Sequence, residues 1–473
     1  MRIRRGIARK GALAAATAVS ALAMAGQAHA AAFYIQEQST KGLGRAFSGE
    51  VSEQGAQQMW WNPAAIGGID SIQNYVGFTA IIPHADATNV NSTITRPGFP
   101  LGAAVGIPAL GNIAGGTYPV GGSQNMHNPI NTGYLPNGGF ALPLGDSLAF
   151  GFTMTSPYSF TSNYDADSWA RYAADKSRLR TFDLQPVLAY HRGGLSIGAG
   201  PNVEYVRATL SNYLPDPLPS LAGIPVVGPG LSAALNTNDG HQYLKGSGWD
   251  VGFSAGFQYH NDKIDLGVSY KSKIKHHLKG HLIIDGLTGL LATQGANQRV
   301  DDAHADFTTP WQVIFGARYH VTPRLTLNGQ ITRFGWSKFD AINLSNLGAN
   351  ADQSVPEKYH NSWTYAGGVD FKVTPVWTLR AGVQRDLSPI GAGERDPRVP
   401  DGNRWNFAAG TSYAMTSHFT IDAGASYDKI KSNPIDKTEA AYVGTPLQTI
   451  IQNDGVLHNA NAVILSIGGS VTF

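Results

Sequence analysis

At its carboxyl end the chain alternates. Val463, Leu465, Ile467, Gly469, Val471 and Phe473 are apolar or small, while Ser466, Gly468, Ser470 and Thr472 take the positions between. A period of two is that of a strand, whose successive side chains leave opposite faces. The same alternation recurs at Phe419, Ile421, Ala423, Ala425 and Tyr427 against Thr420, Asp422, Ser426 and Asp428. It recurs again at Trp377 to Val383, at Leu325 to Ile331, and at Trp249, Val251, Phe253, Ala255, Phe257 and Tyr259. Extended along the chain, the pattern predicts about fourteen strands, near 71–88, 133–142, 147–161, 177–191, 195–211, 241–259, 264–282, 302–319, 324–339, 357–372, 376–388, 403–414, 418–431 and 457–473. The even number brings both ends to one rim.

Alternation alone fits a soluble sandwich as well as a membrane barrel. Two further features separate them. Aromatics gather at strand ends (Trp249, Tyr259, Tyr413, Phe419, Tyr427, Phe473), where the interfacial girdles of a barrel lie. Connections also alternate between short turns, such as 260–263 and 415–417, and loops of about 15 to 40 residues, far above the usual median of about five. Short turns on one rim and long loops on the other describe an outer-membrane barrel.

Composition then narrows the reading. Arg2, Arg4, Arg5, Arg9 and Lys10 precede an Ala-rich apolar run that ends near Ala28-His29-Ala30, the pattern of a secretory signal peptide over 1–30. That run is shorter than the ~20 apolar residues of a spanning helix. Removing its five cations turns a net charge of +2 into −3, which disfavours nucleic acid as a partner. The chain has no Cys, so no disulfide supports the fold. No Walker loop, Gly-x-Ser-x-Gly elbow or His-Glu-x-x-His is present, so neither an enzymatic step, nor a cofactor, nor a metal is expected.

Residues 31–70 are too short and polar to build a core alone, and a fourteen-stranded ring cannot fill its bore with its own side chains. This segment is therefore expected to plug the barrel formed by 71–473. Its Phe33, Gly42, Leu43, Gly44, Arg45, Ser48, Gly49 and Glu50, followed by Asn62, Pro63 and Ala64, carry a resemblance. The run KGLGRAFSGE with WNPAA resembles the hatch of the FadL/TodX family of outer-membrane transporters of hydrophobic compounds. Stretches 248–280, 310–339, 377–390 and 399–427 resemble it too. The resemblance implies an all-β transmembrane antiparallel barrel with an N-terminal hatch. It implies passive uptake of long-chain fatty acids, or alternatively of aromatic and other hydrocarbons; a general porin or an adhesin is the remaining alternative.

By the same resemblance, a collecting groove would lie between two long loops. Here those loops carry Leu214, Leu218, Leu221 and Ile224, and Ile283, Ile284, Leu287, Leu290 and Leu291. The last three fall at i, i+3 and i+4, one face of a short helix. They suit either acyl-chain capture or packing of the loops on each other. Lys271, Lys273, Lys275, His277 and Lys279 recur every second residue and are expected on the inner wall, where they would guide a carboxylate, pair with acids, or at the outer end meet lipopolysaccharide phosphate. Arg380 and Asp386 share the lumen phase and are expected to anchor the hatch, while Arg207 and Lys358 stand in for the family's basic groups near a ligand carboxylate. The expected partners are hydrophobic small molecules and outer-membrane lipid, including lipopolysaccharide, with the chain acting as a monomer.

Overall fold

A computed structural model describes residues 32–98, 100, 108, 111–112, 114–217, 238–293, 295–348 and 352–473. The expected leader, and Leu218, Leu221 and Ile224 of the expected groove, lie outside these residues. Fourteen antiparallel staves form the wall. They are β1 (Gln73–Asn89), β2 (Gly133–Pro143), β3 (Leu148–Thr155 with Ser159–Asn163), β4 (Lys176–Arg192), β5 (Leu195–Leu214), β6 (Gly240–His260) and β7 (Ile264–Lys271 with Ile274–Asp285). They continue as β8 (Gln298–Thr309 with Gln312–Thr322), β9 (Leu325–Phe334), β10 (Ser362–Thr374), β11 (Trp377–Asp386), β12 (Arg404–Ala414), β13 (Phe419–Ile430) and β14 (Thr449–Thr472). Each stave pairs with the next, and β14 pairs with β1 from Gln73↔Thr472 to Asn89↔Gly455. The ring therefore has no edge strand to leave unpaired backbone in hydrocarbon.

The alternation read from sequence sorts onto two faces. On β6, Trp249, Val251 and Phe253 are exposed on the outside, whereas Ser254 and Gln258 are buried inside. On β13, Phe419 and Tyr427 face out, and Asp422, Ser426 and Asp428 are buried. Lipid contacts the first set, and the polar set meets residues 32–70, which fill the lower bore.

Three staves are interrupted: β8 breaks at Pro310-Trp311 opposite the gap in β7 without a change of register between the two, whereas the breaks in β3 and β7 each slip the register by one residue against the stave before or after. In β3, Ser156-Pro157-Tyr158 falls between Thr155↔Asp183 and Ser159↔Arg180. In β7, Ser272-Lys273 falls between Ser254↔Lys271 and Ser247↔Lys279. Ser272 replaces the missing ladder by donating from N to Phe253 O (2.9 Å) and accepting at Oγ from Phe253 N (2.9 Å). Because side-chain direction has a period of two, one extra residue inverts every later position. The lysine ladder is thus split: Lys271 is buried inside, Lys273 lies exposed in the bulge, and Lys275, His277 and Lys279 face out. The expectation that all of them line the lumen is corrected here.

Candidate functional site

Residues 32–70 have little regular structure, so side chains hold their backbone. Ser39 caps the helix Thr40–Leu43 by accepting from Gly42 N at 2.9 Å. Asn62 Oδ1 accepts from Ala64 N (3.0 Å) to open a 3₁₀ turn at Pro63, while its Nδ2 donates to Val51 O (2.7 Å) and to Phe257 O (3.1 Å) on β6. One amide therefore caps a turn and ties the segment to the wall. Contact with the wall is close enough to require glycine. A Cβ on Gly44 would sit 2.8 Å from Gly410 Cα, and one on Gly410 would sit 2.5 Å from Gly44 Cα.

Charge fixes the same segment laterally. The Arg45 guanidinium is fully buried and bonds Glu50 and Glu53 of the segment and Asp370 on β10 (3.0 Å). Asp370 also takes Arg318 of β8 at 3.0 Å and Arg380 of β11 at 3.4 Å. Burial raises the Glu53 carboxyl, yet Arg318, Arg45 and Lys41 together hold it well below the usual carboxylate range. Glu37 shows the opposite: burial, reinforced by the Asp428 charge, pushes it up to about 8. Asp386 accepts from Thr364 Oγ1 (2.7 Å) and lies 3.5 Å from Arg404. Arg380 and Asp386 thus both point inward as expected, and Arg380 reaches the segment through Asp370.

The amino end of the segment rises to the gap in β3. Ile35 N donates to Pro157 O (2.8 Å) and Ser159 N to Phe33 O (3.0 Å), so Phe33 to Ile35 complete the interrupted stave from inside. The Phe33 ring packs against Tyr158, Phe160, Trp336 and Phe339 at centroid distances of 5.9, 6.0, 5.0 and 5.1 Å. Phe33, Phe160, Phe307, Phe339 and Tyr359 form one end of a cavity of about 730 Å³. Its apolar wall continues through Leu179, Leu210, Leu214, Leu244, Leu278, Ile342, Leu344, Val399 and Ile451 towards the outer rim.

One flank of that cavity is charged. Lys437 Nζ lies 3.1 Å from Glu357 and 3.3 Å from Asp396, and Arg398 lies 2.9 Å from Glu439 and 3.3 Å from Asp396. Burial pushes the Glu357 carboxyl up to about 7 even though Lys437 opposes the shift. Burial acts on Asp396 in the same direction, but Lys437 and Arg398 prevail and hold it low. Lys358 lies on this flank too, exposed and 3.3 Å from Glu394.

The expected groove residues divide. Leu214 lines the cavity. Ile284, Leu287 and Leu291 are buried beside Leu244, Leu282 and Leu344 in a cluster behind its wall, so they brace the cavity by packing. Ile283 alternates to the outer face, as does Arg207, which is exposed away from the bore and stands opposite Arg180. That position corrects the expectation that Arg207 serves the lumen. The aromatic end was missed because Phe160, Phe307, Phe339 and Tyr359 come from four separate segments. The visible signal was single bulky aromatics at lumen-phase positions near the outer ends of staves.

A lipid-facing ring, a filled lower bore and an apolar cavity open to the long-loop rim define an outer-membrane transporter of hydrophobic compounds. The chain belongs to the outer membrane protein transport protein family (OMPP1/FadL/TodX), whose model matches residues 21–473. It is 28% identical over 413 residues to the long-chain fatty acid transport protein of Escherichia coli K12, covering 82% of this chain and 85% of that protein. It is 25% identical over 414 residues to outer membrane protein P1 of Haemophilus influenzae, covering 82% and 83%. The crystal structure of a Pseudomonas aeruginosa FadL homologue superposes with a TM-score of 0.76 at 24% identity, covering 94% of this chain and 100% of that one. The Ralstonia pickettii toluene transporter TbuX gives 0.60 at 17% identity, covering 92% and 98%, and shares the fold.

Proposed function

We propose that this protein is a passive uptake channel whose preferred cargo is a long-chain fatty acid, and that residues 31–70 are its hatch. The observation that carries the reading is the cavity: about 730 Å³, towards the upper end of the range for small-molecule sites, apolar along its length and charged on one flank. An acyl chain matches the apolar wall, and its carboxylate would take the place of Glu357 at Lys437, since burial pushes the Glu357 carboxyl up to about 7. A small hydrocarbon has no use for that flank, and an ion-conducting porin has none for the wall.

In this reading the cargo enters from the long-loop rim and its tail meets Phe33. Withdrawal of Phe33 to Ile35 removes both the end of the cavity and the patch over Ser156-Pro157-Tyr158, so one movement opens a way out through β3. No ATP is needed, because burial of the chain favours capture and release follows the concentration gradient. One copy suffices, since the ring closes on itself.

The test is uptake of labelled oleate and labelled toluene by cells lacking their own fatty-acid transporter and expressing this chain or its Lys437→Met, Arg398→Met variant. Oleate uptake that falls at least about tenfold in the variant, with toluene unchanged, supports the assignment. Equal loss of both, or toluene uptake alone, moves the cargo to hydrocarbons.

A further inference from the structure

Outside the bore, four neighbouring staves carry cations with no ion-pair partner among the described residues. The inward pair Asp183↔Glu204 fixes the phase of β4 and β5, so Arg180↔Arg207 stand directly opposite one another on the outer face. Arg178 lies two residues further up β4. On β6 and β7 the outward positions Lys245 and Lys279 continue the row, the second opposite Ser247. Among the described residues none of these five forms an ion pair, whereas Lys275 is 3.5 Å from Asp306 and His277 is 3.1 Å from Asp250.

Like charges placed directly opposite on a sheet cost stability. A wall that keeps Arg180 against Arg207 with no acid beside them has to be compensated from outside the chain. Height identifies the source. Arg207 is twelve residues beyond Leu195, where β5 leaves the short-turn rim. At about 3.3 Å per residue and a tilt near 40° it stands roughly 30 Å above that rim, just past an apolar band about 25 Å tall. Directly beneath, Tyr205 and Trp249 are in contact with ring centroids 5.0 Å apart, and Val251 and Phe253 follow, exposed on the same face.

We infer that this face of β4 to β7 binds the phosphorylated glycolipid of the outer leaflet, lipopolysaccharide. Its phosphates lie across the Arg178, Arg180, Arg207, Lys245 and Lys279 row and its acyl chains on the apolar face below. Guanidinium groups suit this because each presents two parallel donors to a phosphate. The site is on the lipid side of the wall; Arg180, Arg207 and Lys279 stand clear of the transport cavity, whereas Arg178 and Lys245 also border it.

The experiment titrates full-length protein in mild detergent with fluorescent lipopolysaccharide, with the same lipopolysaccharide stripped of phosphate, and with phosphatidylglycerol micelles as competitor. The triple variant Arg180→Gln, Arg207→Gln, Lys279→Gln is expected to bind intact lipopolysaccharide at least about tenfold more weakly. Dephosphorylation should weaken the wild type by a similar factor. The same loss of charge at the short-turn rim, Lys263→Gln, Arg324→Gln, Lys372→Gln, should leave binding unchanged. Should the triple variant lose the compact migration of a folded barrel on unheated gels, Arg207→Gln with Lys279→Gln decides, with an intermediate loss expected. Equal binding by wild type and variant, indifference to phosphate removal, or equal competition by phosphatidylglycerol would overturn the assignment.

Discussion

Arg45→Met separates closure of the wall from docking of the segment inside it. In the wild type the buried guanidinium faces Glu50, Glu53 and Asp370. Arg318 and Lys41 still reach Glu53, and Arg318 and Arg380 still reach Asp370, but Glu50 has no second cation. Removing one member of a buried ion cluster costs about 3–5 kcal/mol, because a carboxylate is left uncompensated. At about 1.4 kcal/mol per decade, that lowers the ratio of docked to undocked segment by roughly 10² to 10³·⁵. Stave pairing does not depend on Arg45, so the thermal transition of the barrel should move little. The assay has two arms: single-channel conductance in planar bilayers, and trypsin cleavage after Lys41, a site enclosed in the wild type. Frequent opening together with faster cleavage is expected. A variant that stays closed and protected would refute the claim that this cluster holds the segment down.

Three other outcomes follow from the same geometry. Gly410→Val drives a side chain into Gly44 Cα, so a destabilisation of about 1–3 kcal/mol should be read as increased leakage of small solutes, with Val at the open Gly367 as the silent control. Since Glu357 titrates near 7, its charge competes with a ligand anion for Lys437 above that pH and is absent below it. Binding of an alkyl sulfonate, which stays ionised, should therefore tighten as pH falls from 8 to 6, and Glu357→Gln should flatten the profile. Leu287→Ala with Leu291→Ala removes two packed side chains from the cluster behind the cavity, worth about 2–5 kcal/mol each, and should appear as faster hydrogen exchange over 283–297 with weaker cargo binding.

The wall was legible because each stave repeats one physical rule, and the long and short connections place its two rims. That residues 32–70 pack against the wall from within was legible from their position, their glycines and their motif. What escaped depends on contacts that no local pattern encodes. A one-residue bulge at Ser272-Lys273 leaves the apparent lysine ladder intact in sequence, yet reverses its direction half-way. Asp370, the wall residue on which three arginines converge, reads as one more polar position on β10. The mid-strand Gly410 carried a usable signal, since a glycine inside a strand marks close backbone approach. The cavity end needed the folded ring, because Phe160, Phe307, Phe339 and Tyr359 are neighbours only once distant staves are aligned.

The lower bore also constrains how the molecule is made. Residues 32–70 leave the ribosome before any stave, yet they touch β6, β8, β9, β10 and β12 from within. The seam between β1 and β14 joins the two ends of the barrel sequence, so the ring cannot close until its last stave exists, and once closed it surrounds the chain's own head. Strand number and stagger set the width of the bore, so a barrel made without that head would keep its diameter and stand open.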